Sequence, residues 1–318
     1  MHRRNFLQLS LAAAASAGLV GCSRNEPLRT GVHPWIGYET LYLAEEFGWL
    51  PPAVQLSKGQ TSRDSMHGIL AGELDAAALT LDEVLRIQAV GVPVKVVAVA
   101  DVSVGADMVM ARPEIDRLEA LAGQSIGVDL DGVSGIMLFA MLDRAGLRSD
   151  QVSIVNIPVN QHLEAWNKGV IDVSVCYQPT ASRLGNAGAV RLFDSSQIPD
   201  TIFDVLVVTE KAERKQPSAV EDLVRGHFLG LRHLVRNMHD AVYRIATRQQ
   251  ITPETVREAM ATVMLPELTA NRRYLAPGGR VEIVAHRLGN ILVREGLIEQ
   301  SPDIANLCTR DYLPGSLS

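Results

Sequence analysis

The stretch HPWIGYETLYLAEEFGWL, His33 to Leu50, concentrates two of the chain's 3 Trp and two of its 6 Tyr in one short run. Leu41, Leu43, Ala44 and Phe47 recur at helical spacing, and Gly48 stops the pattern, so an amphipathic helix is expected there. The preceding LRTGVH (28–33) opens as a strand. A strand, an aromatic turn and a helix make one α/β unit, and the alternation repeats outward. Strands are expected over AVQLSK (53–58), AAALT (76–80), VPVKVVAVAD (92–101), ADMVMAR (106–112), VSIVNIP (152–158) and IDVSVCYQP (171–179), with helical patterns over 62–75, 81–91 and 160–170 between them. This order predicts an α/β fold with mostly parallel sheets. From Ala212 strand signals stop, and helices follow to Gly296.

The 318 residues are 47% hydrophobic and 21% charged, enough for two domains or one large one. A net charge of -6 with no run of like charges argues against a nucleic-acid partner. Cys22, Cys176 and Cys308 match no zinc or redox spacing, so no metal and no cofactor is expected. Cys176 and Cys308 could pair in an oxidising compartment, but Cys176 sits in the apolar run VIDVSVCY and reads rather as a buried, inert thiol.

The first 22 residues read as an address. Arg3 and Arg4 precede an apolar, small-residue stretch too short to span a bilayer, the pattern of a signal peptide. RRNFLQ (3–8) resembles a twin-arginine export signal, and LVGC (19–22) resembles a lipobox whose Cys22 is lipidated. The expectation is an exported protein tethered to a membrane from the periplasm or cell envelope, with residues 23–28 as a linker.

Five segments, in order, resemble the taurine, alkanesulfonate, nitrate and thiamine-precursor type of periplasmic solute-binding protein that serves ABC importers. They are PWIGYETLYLAEEFGWL, GELDAAALTLDEVL, SVGADMVMAR, LAGQSIGVDLDGVSGIMLFAMLDRAGL and AWNKGVIDVSVCYQP. Gln124 stands where lysine is commoner, Trp166 where phenylalanine is, and Tyr177-Gln178 where Trp-Glu is. The resemblance implies the type II periplasmic-binding-protein fold: two α/β lobes joined by two crossover strands, with C-terminal helices. It puts lobe 1 at 29–109 plus 205–318 and lobe 2 at 110–204. It implies a monomer that binds a small solute between its lobes and works with a permease and an ATPase.

Ligands of open α/β sheets collect at the carboxyl ends of the strands. Trp35, Gly37 and Tyr38 follow the first strand, offering flat walls and close backbone approach, or else Trp35 and Tyr38 are core. Thr80 ends the third strand, lining the cleft, capping a helix, or both. Ser103 and Asp107 follow a long strand; Asp107 either bonds backbone amides or awaits a cationic ligand group. Gly132, Val133 and Ser134 form a strand-to-helix turn whose free amides suit an oxyanion, with plain capping by Ser134 as the alternative. Tyr177 and Gln178 end another strand, and Asp204 lies at the second crossing, where it binds ligand or hinge backbone. Amide donors with a carboxylate fit an amino-sulfonate such as taurine. Aromatics with carboxylates equally suit a thiamine-type pyrimidine or other cationic heterocycle. Only Arg183 offers an arginine near these strand ends. An enzyme of cofactor-precursor synthesis on the same fold is the competing class; its one candidate, His33 beside Pro34, reads as a solvated turn residue, and no catalytic residue is assigned.

Overall fold

The computed structural model describes residues 26–317. The export segment, the lipobox with Cys22 and residues 23–25 of the linker lie outside the described residues. Leu28, shared by the expected linker and the expected first strand, is the first residue of a strand.

Eleven strands are described: β1 (Leu28–Val32), β2 (Val54–Lys58), β3 (Ala76–Thr80), β4 (Val94–Ser103), β5 (Met108–Ala111), β6 (Ser125–Val128), β7 (Ser153–Asn156), β8 (Val173–Cys176), β9 (Val190–Asp194), β10 (Phe203–Thr209) and β11 (Val263–Met264). They form two sheets, ordered β11-β4-β10-β3-β1-β2 and β7-β6-β8-β5-β9. β1 runs parallel to β2 and β3, whereas β10 inserts antiparallel between β3 and β4. Every residue of β3 is buried, and β4 is buried throughout except at Lys95. That explains why both read as continuous apolar runs without alternation: helices cover both faces.

In chain order the helices are α1 (Glu39–Glu46), α2 (Ser62–Leu70), α3 (Leu81–Ala89), α4 (Val133–Ala145), α5 (His162–Asn167), α6 (Thr180–Asn186), α7 (Glu210–Lys215), α8 (Pro217–Arg236), α9 (Met238–Gln249), α10 (Pro253–Met260), α11 (Leu268–Tyr274) and α12 (Arg280–Arg294). The C-terminal helices pack on the first sheet. α8 and α9 contribute Val224, Phe228, Leu231 and Val242 to a core that includes Leu28, Leu41 and Leu206. On the other face, Val284 and Leu288 of α12 join Leu79, Val96 and Val205. Full burial of each such side chain contributes about 2 kcal/mol. α8 lies so close to α1 that a Cβ on Gly230 would sit 1.9 Å from the Thr40 carbonyl oxygen. No described helix is long and apolar enough to cross a membrane.

The chain passes between sheets twice, between β4 and β5 and between β9 and β10. Both passages differ by a few residues from the boundaries read from sequence. Met108 and Val109 pair in the second sheet, and Phe203 and Asp204 in the first. The passages are tied to each other: the Ser103 and Ser195 hydroxyls are 2.7 Å apart, and Gly105 N–H donates to Ser195 Oγ at 2.7 Å. β11 is a correction too, since no strand was expected after Ala212; Val263 pairs with Ser103 at the sheet edge.

Candidate functional site

The carboxyl ends of β1, β3 and β4, and the amino end of β10, meet at the junction of the lobes. Their flanking residues enclose a chamber of about 270 Å³. His33, Trp35, Thr80, Glu83, Asp107 and Asp204 line it from the first lobe and the crossings, with Ser62 at the start of α2, and Val133 and Tyr177 close it from the second lobe. The free space at its centre holds about one water molecule.

Strand register makes the chamber acidic. Asp204 of β10 is paired with Asp101 of β4 on one side and Thr80 of β3 on the other. Like charges directly opposite each other on a sheet repel. Trp35 Nε1 donates to Asp101 Oδ2 at 2.9 Å, and the Tyr38 hydroxyl donates to Asp204 Oδ1 at 2.5 Å. Asp107 Oδ2 is buried without a hydrogen-bond partner, as is His33 Nδ1. Burial pushes the Asp101 and Asp107 carboxyls up to about 7 and Glu83 to about 8; Asp204 rises well above its usual range through burial and the adjacent Asp101. Burial lowers His33 to about 4, so its imidazole is neutral. Asp101 also hydrogen-bonds the neighbouring Asp204 carboxyl, behind the wall; Asp107 Oδ2, on a residue that lines the chamber, keeps no partner, and a buried acceptor left so is costly. Among the described residues no three His, Cys, Asp or Glu side chains are disposed to hold a metal ion.

The residues expected from sequence fall into three groups. Trp35, Thr80, Asp107, Val133, Tyr177 and Asp204 line the chamber. Trp35 and Tyr177, from opposite lobes, meet edge to face with ring centroids 5.4 Å apart. Thr80 also heads α3, its N–H donating to Glu83 Oε2 at 2.9 Å.

A second group supports the wall from behind. Tyr38 is buried and holds Asp204. Gly37 leaves room for Asp101, not for a ligand: a Cβ there would lie 1.6 Å from Asp101 Oδ2. Ser103 belongs to the crossing, where its hydroxyl accepts from Asp107 N–H at 3.3 Å.

The third group points elsewhere. Gln178 caps α6, accepting from Ser182 N–H at 3.1 Å. Gly132 and buried Ser134 stand at the start of α4, but the open side of Gly132 faces Glu83 Oε1, 3.0 Å from where a Cβ would be. Glu83 therefore stands beside the turn expected to receive an oxyanion. His33 is 5% exposed and lines the chamber, so it is no solvated turn residue. Ser62, Glu83 and Asp101 escaped the sequence reading. For Asp101 a signal existed: a charge ending a run of buried apolar residues needs a reason.

The family model described as NMT1/THI5 like matches residues 37–238, well over half of the chain. The chain belongs to the NMT1/THI5-like family. Over 133 residues it is 29% identical to the taurine-binding periplasmic protein of Escherichia coli (strain K12), and that match spans 41% of either chain. Its fold is similar to that of the alkanesulfonate-binding protein SsuA from Xanthomonas axonopodis pv. citri bound to MOPS, with a TM-score of 0.74 and 14% identity over 89% of this chain and 98% of that one. The desulfurization enzyme DSZB is also similar, with a TM-score of 0.68 and 14% identity over 91% of this chain and 97% of that one. These likenesses show the two-lobed periplasmic-binding-protein fold for this NMT1/THI5-like chain; binders and an enzyme share it.

Proposed function

We propose that this NMT1/THI5-like protein is the extracytoplasmic solute-binding component of an ABC-type importer, capturing a small taurine-like amino-sulfonate between its lobes and passing it unaltered to a membrane permease. The observation that carries the reading is the cluster of carboxyls on the chamber wall, Asp107 with its unpaired Oδ2, Asp204 and Glu83, backed by Asp101. A primary ammonium brings one positive charge and three donors to such a carboxyl-lined wall. The relatives that bind taurine and alkanesulfonates support the solute class. Capture follows from the two-sided chamber. A solute touching Trp35 and Tyr177 at once gains contacts only when the lobes are closed, and that difference drives closure. Lipidation at Cys22, outside the described residues, would keep the protein at the membrane and raise its effective concentration beside the permease.

The chemistry of the site favours binding over catalysis. Burial pushes the Cys176 thiol up to about 12, and its side chain packs with Met108, Trp166 and Leu184, so it is no nucleophile. A second reading has its own observation. The flat rings of Trp35 and Tyr177 beside carboxylates also suit a planar cation such as a thiamine-precursor pyrimidine.

A melting-temperature screen with taurine, ethanesulfonate, alkylamines and aminopyrimidines tests the proposal, followed by recovery of the solute. Solutes with a protonated nitrogen should stabilise the protein in proportion to concentration over Kd and come back unchanged. Chemical conversion of the solute, or stabilisation by ethanesulfonate alone, contradicts it.

A further inference from the structure

Outside the chamber lies a second compartment with the opposite charge. Lys58, Gln60, Tyr177, Arg183, Arg248 and Gln249 are among the residues lining a vestibule of about 1210 Å³, its open mouth included. It adjoins the chamber: Tyr177 lines both, and the neighbours His33 and Pro34, and Thr61 and Ser62, divide between them. Most of its charges are already matched. Lys58 Nζ is 2.6 Å from Glu45, and Arg248 is held by Glu39 and Glu46. Glu39, the one acid lining the vestibule, is engaged by Arg248 and by Gln249 Nε2 at 2.6 Å. Arg183 differs: it is exposed on α6, and among the described residues no carboxylate lies within ion-pair distance of it.

We propose that Arg183 is a specificity-determining residue, binding a terminal oxyanion that the solute carries past Tyr177 while its protonated nitrogen sits in the chamber. This deepens the taurine-like reading and rests on it. The acidic chamber rejects the anionic end of the solute, and the vestibule offers an unmatched guanidinium to receive it, so the cleft is polarised along its length. The guanidinium fork suits a carboxylate or a sulfonate. Arg183 belongs to the second lobe, while Lys58 and Gln60 belong to the first. An oxyanion between them makes contacts only in the closed form, and so favours closure as well as selecting length.

Calorimetric titration of the full chain and of Arg183→Gln tests this. The probes are ω-aminoalkanesulfonates of increasing spacer length, the matching ω-aminocarboxylates, and alkylamines of equal length. At the spacer that reaches Arg183, the tailed amine should bind about tenfold more tightly than its alkylamine, as a hydrogen bond to a charged group supplies. Arg183→Gln should erase that advantage while alkylamine affinity stays within twofold, and Arg183→Lys should restore part of it. The sulfonate and carboxylate series show which oxyanion is preferred. An equal advantage in Arg183→Gln, or none in the unsubstituted protein, overturns the role of Arg183 alone. Failure of every amine to bind overturns the functional reading with it.

Discussion

Asp107→Asn is expected to weaken binding of a taurine-type amine by about 100-fold and to leave the fold intact. Asp107 stands at the first crossing, lines the chamber, and keeps Oδ2 without a partner. Removing one member of a buried, hydrogen-bonded charge pair costs about 2–5 kcal/mol, and 2.7 kcal/mol is 100-fold in Kd. Asparagine keeps the shape but replaces one acceptor oxygen by an amide that points donors at a donor. Stability should not suffer. The ligand-free protein already bears the cost of a desolvated carboxylate, which is why this carboxyl rises to about 7. Titration calorimetry at pH 8 on both proteins, with thermal melts alongside, reads the two effects separately. An affinity within threefold of the original, in a folded variant, would remove Asp107 from the site.

Gly37→Ala should destabilise the protein by about 3 kcal/mol. The new methyl would stand 1.6 Å from Asp101 Oδ2 and 2.4 Å from its Cγ, and Asp101 is buried and bonded to Trp35, so it has nowhere to go. Overpacking of this kind costs about 1–3 kcal/mol and reaches the upper end when the obstructing group cannot rotate away. Relief requires breaking the Trp35–Asp101 bond, so binding should fall together with stability. Gly185→Ala on α6 serves as the control: a Cβ there meets nothing within 4 Å, and alanine suits a helix better. Urea midpoints compare the three proteins at constant slope. A Gly37→Ala midpoint equal to the original would mean that Asp101 is free to move, and the chamber wall would lose its rigidity argument.

Particular elements show what was legible in the chain. β3 and β4 read from sequence because burial on both faces makes them short apolar runs bounded by helical patterns. α1 read from the spacing of Leu41, Leu43 and Ala44, all of which are buried. β10 did not register beyond Asp204, although FDVLVVT is apolar, because its role is non-local: it returns from the second lobe to lie antiparallel between two strands formed much earlier. The same non-locality hid the site's defining feature. Asp101 and Asp204 become neighbours only through the register of β4 against β10. Gly37 was noticed for the right property, close approach, but what approaches is a carboxylate from β4. Residues following single strands were legible one at a time; which of them converge was decided by sheet order.

The most direct measurement is the number of protons exchanged on binding, from calorimetry near pH 7 in buffers of different ionisation enthalpy. The titratable groups lining the chamber are Asp107, Asp204 and Glu83, the neutral His33 imidazole, and the Tyr177 phenol that burial pushes up; Asp101 and Tyr38 stand behind them, bonded to Trp35 and Asp204. With Asp101 and Asp107 at about 7, the ligand-free chamber holds protons below that pH. An ammonium favours the ionised carboxylates, lowers their pKa and expels protons, whereas its own charge persists throughout this range. The account predicts release of about one proton per taurine-type amine near pH 7, with affinity rising about tenfold per pH unit there and more steeply below. Proton uptake, or affinity that falls as pH rises, would mean that the chamber receives the anionic end of its solute and would contradict the account.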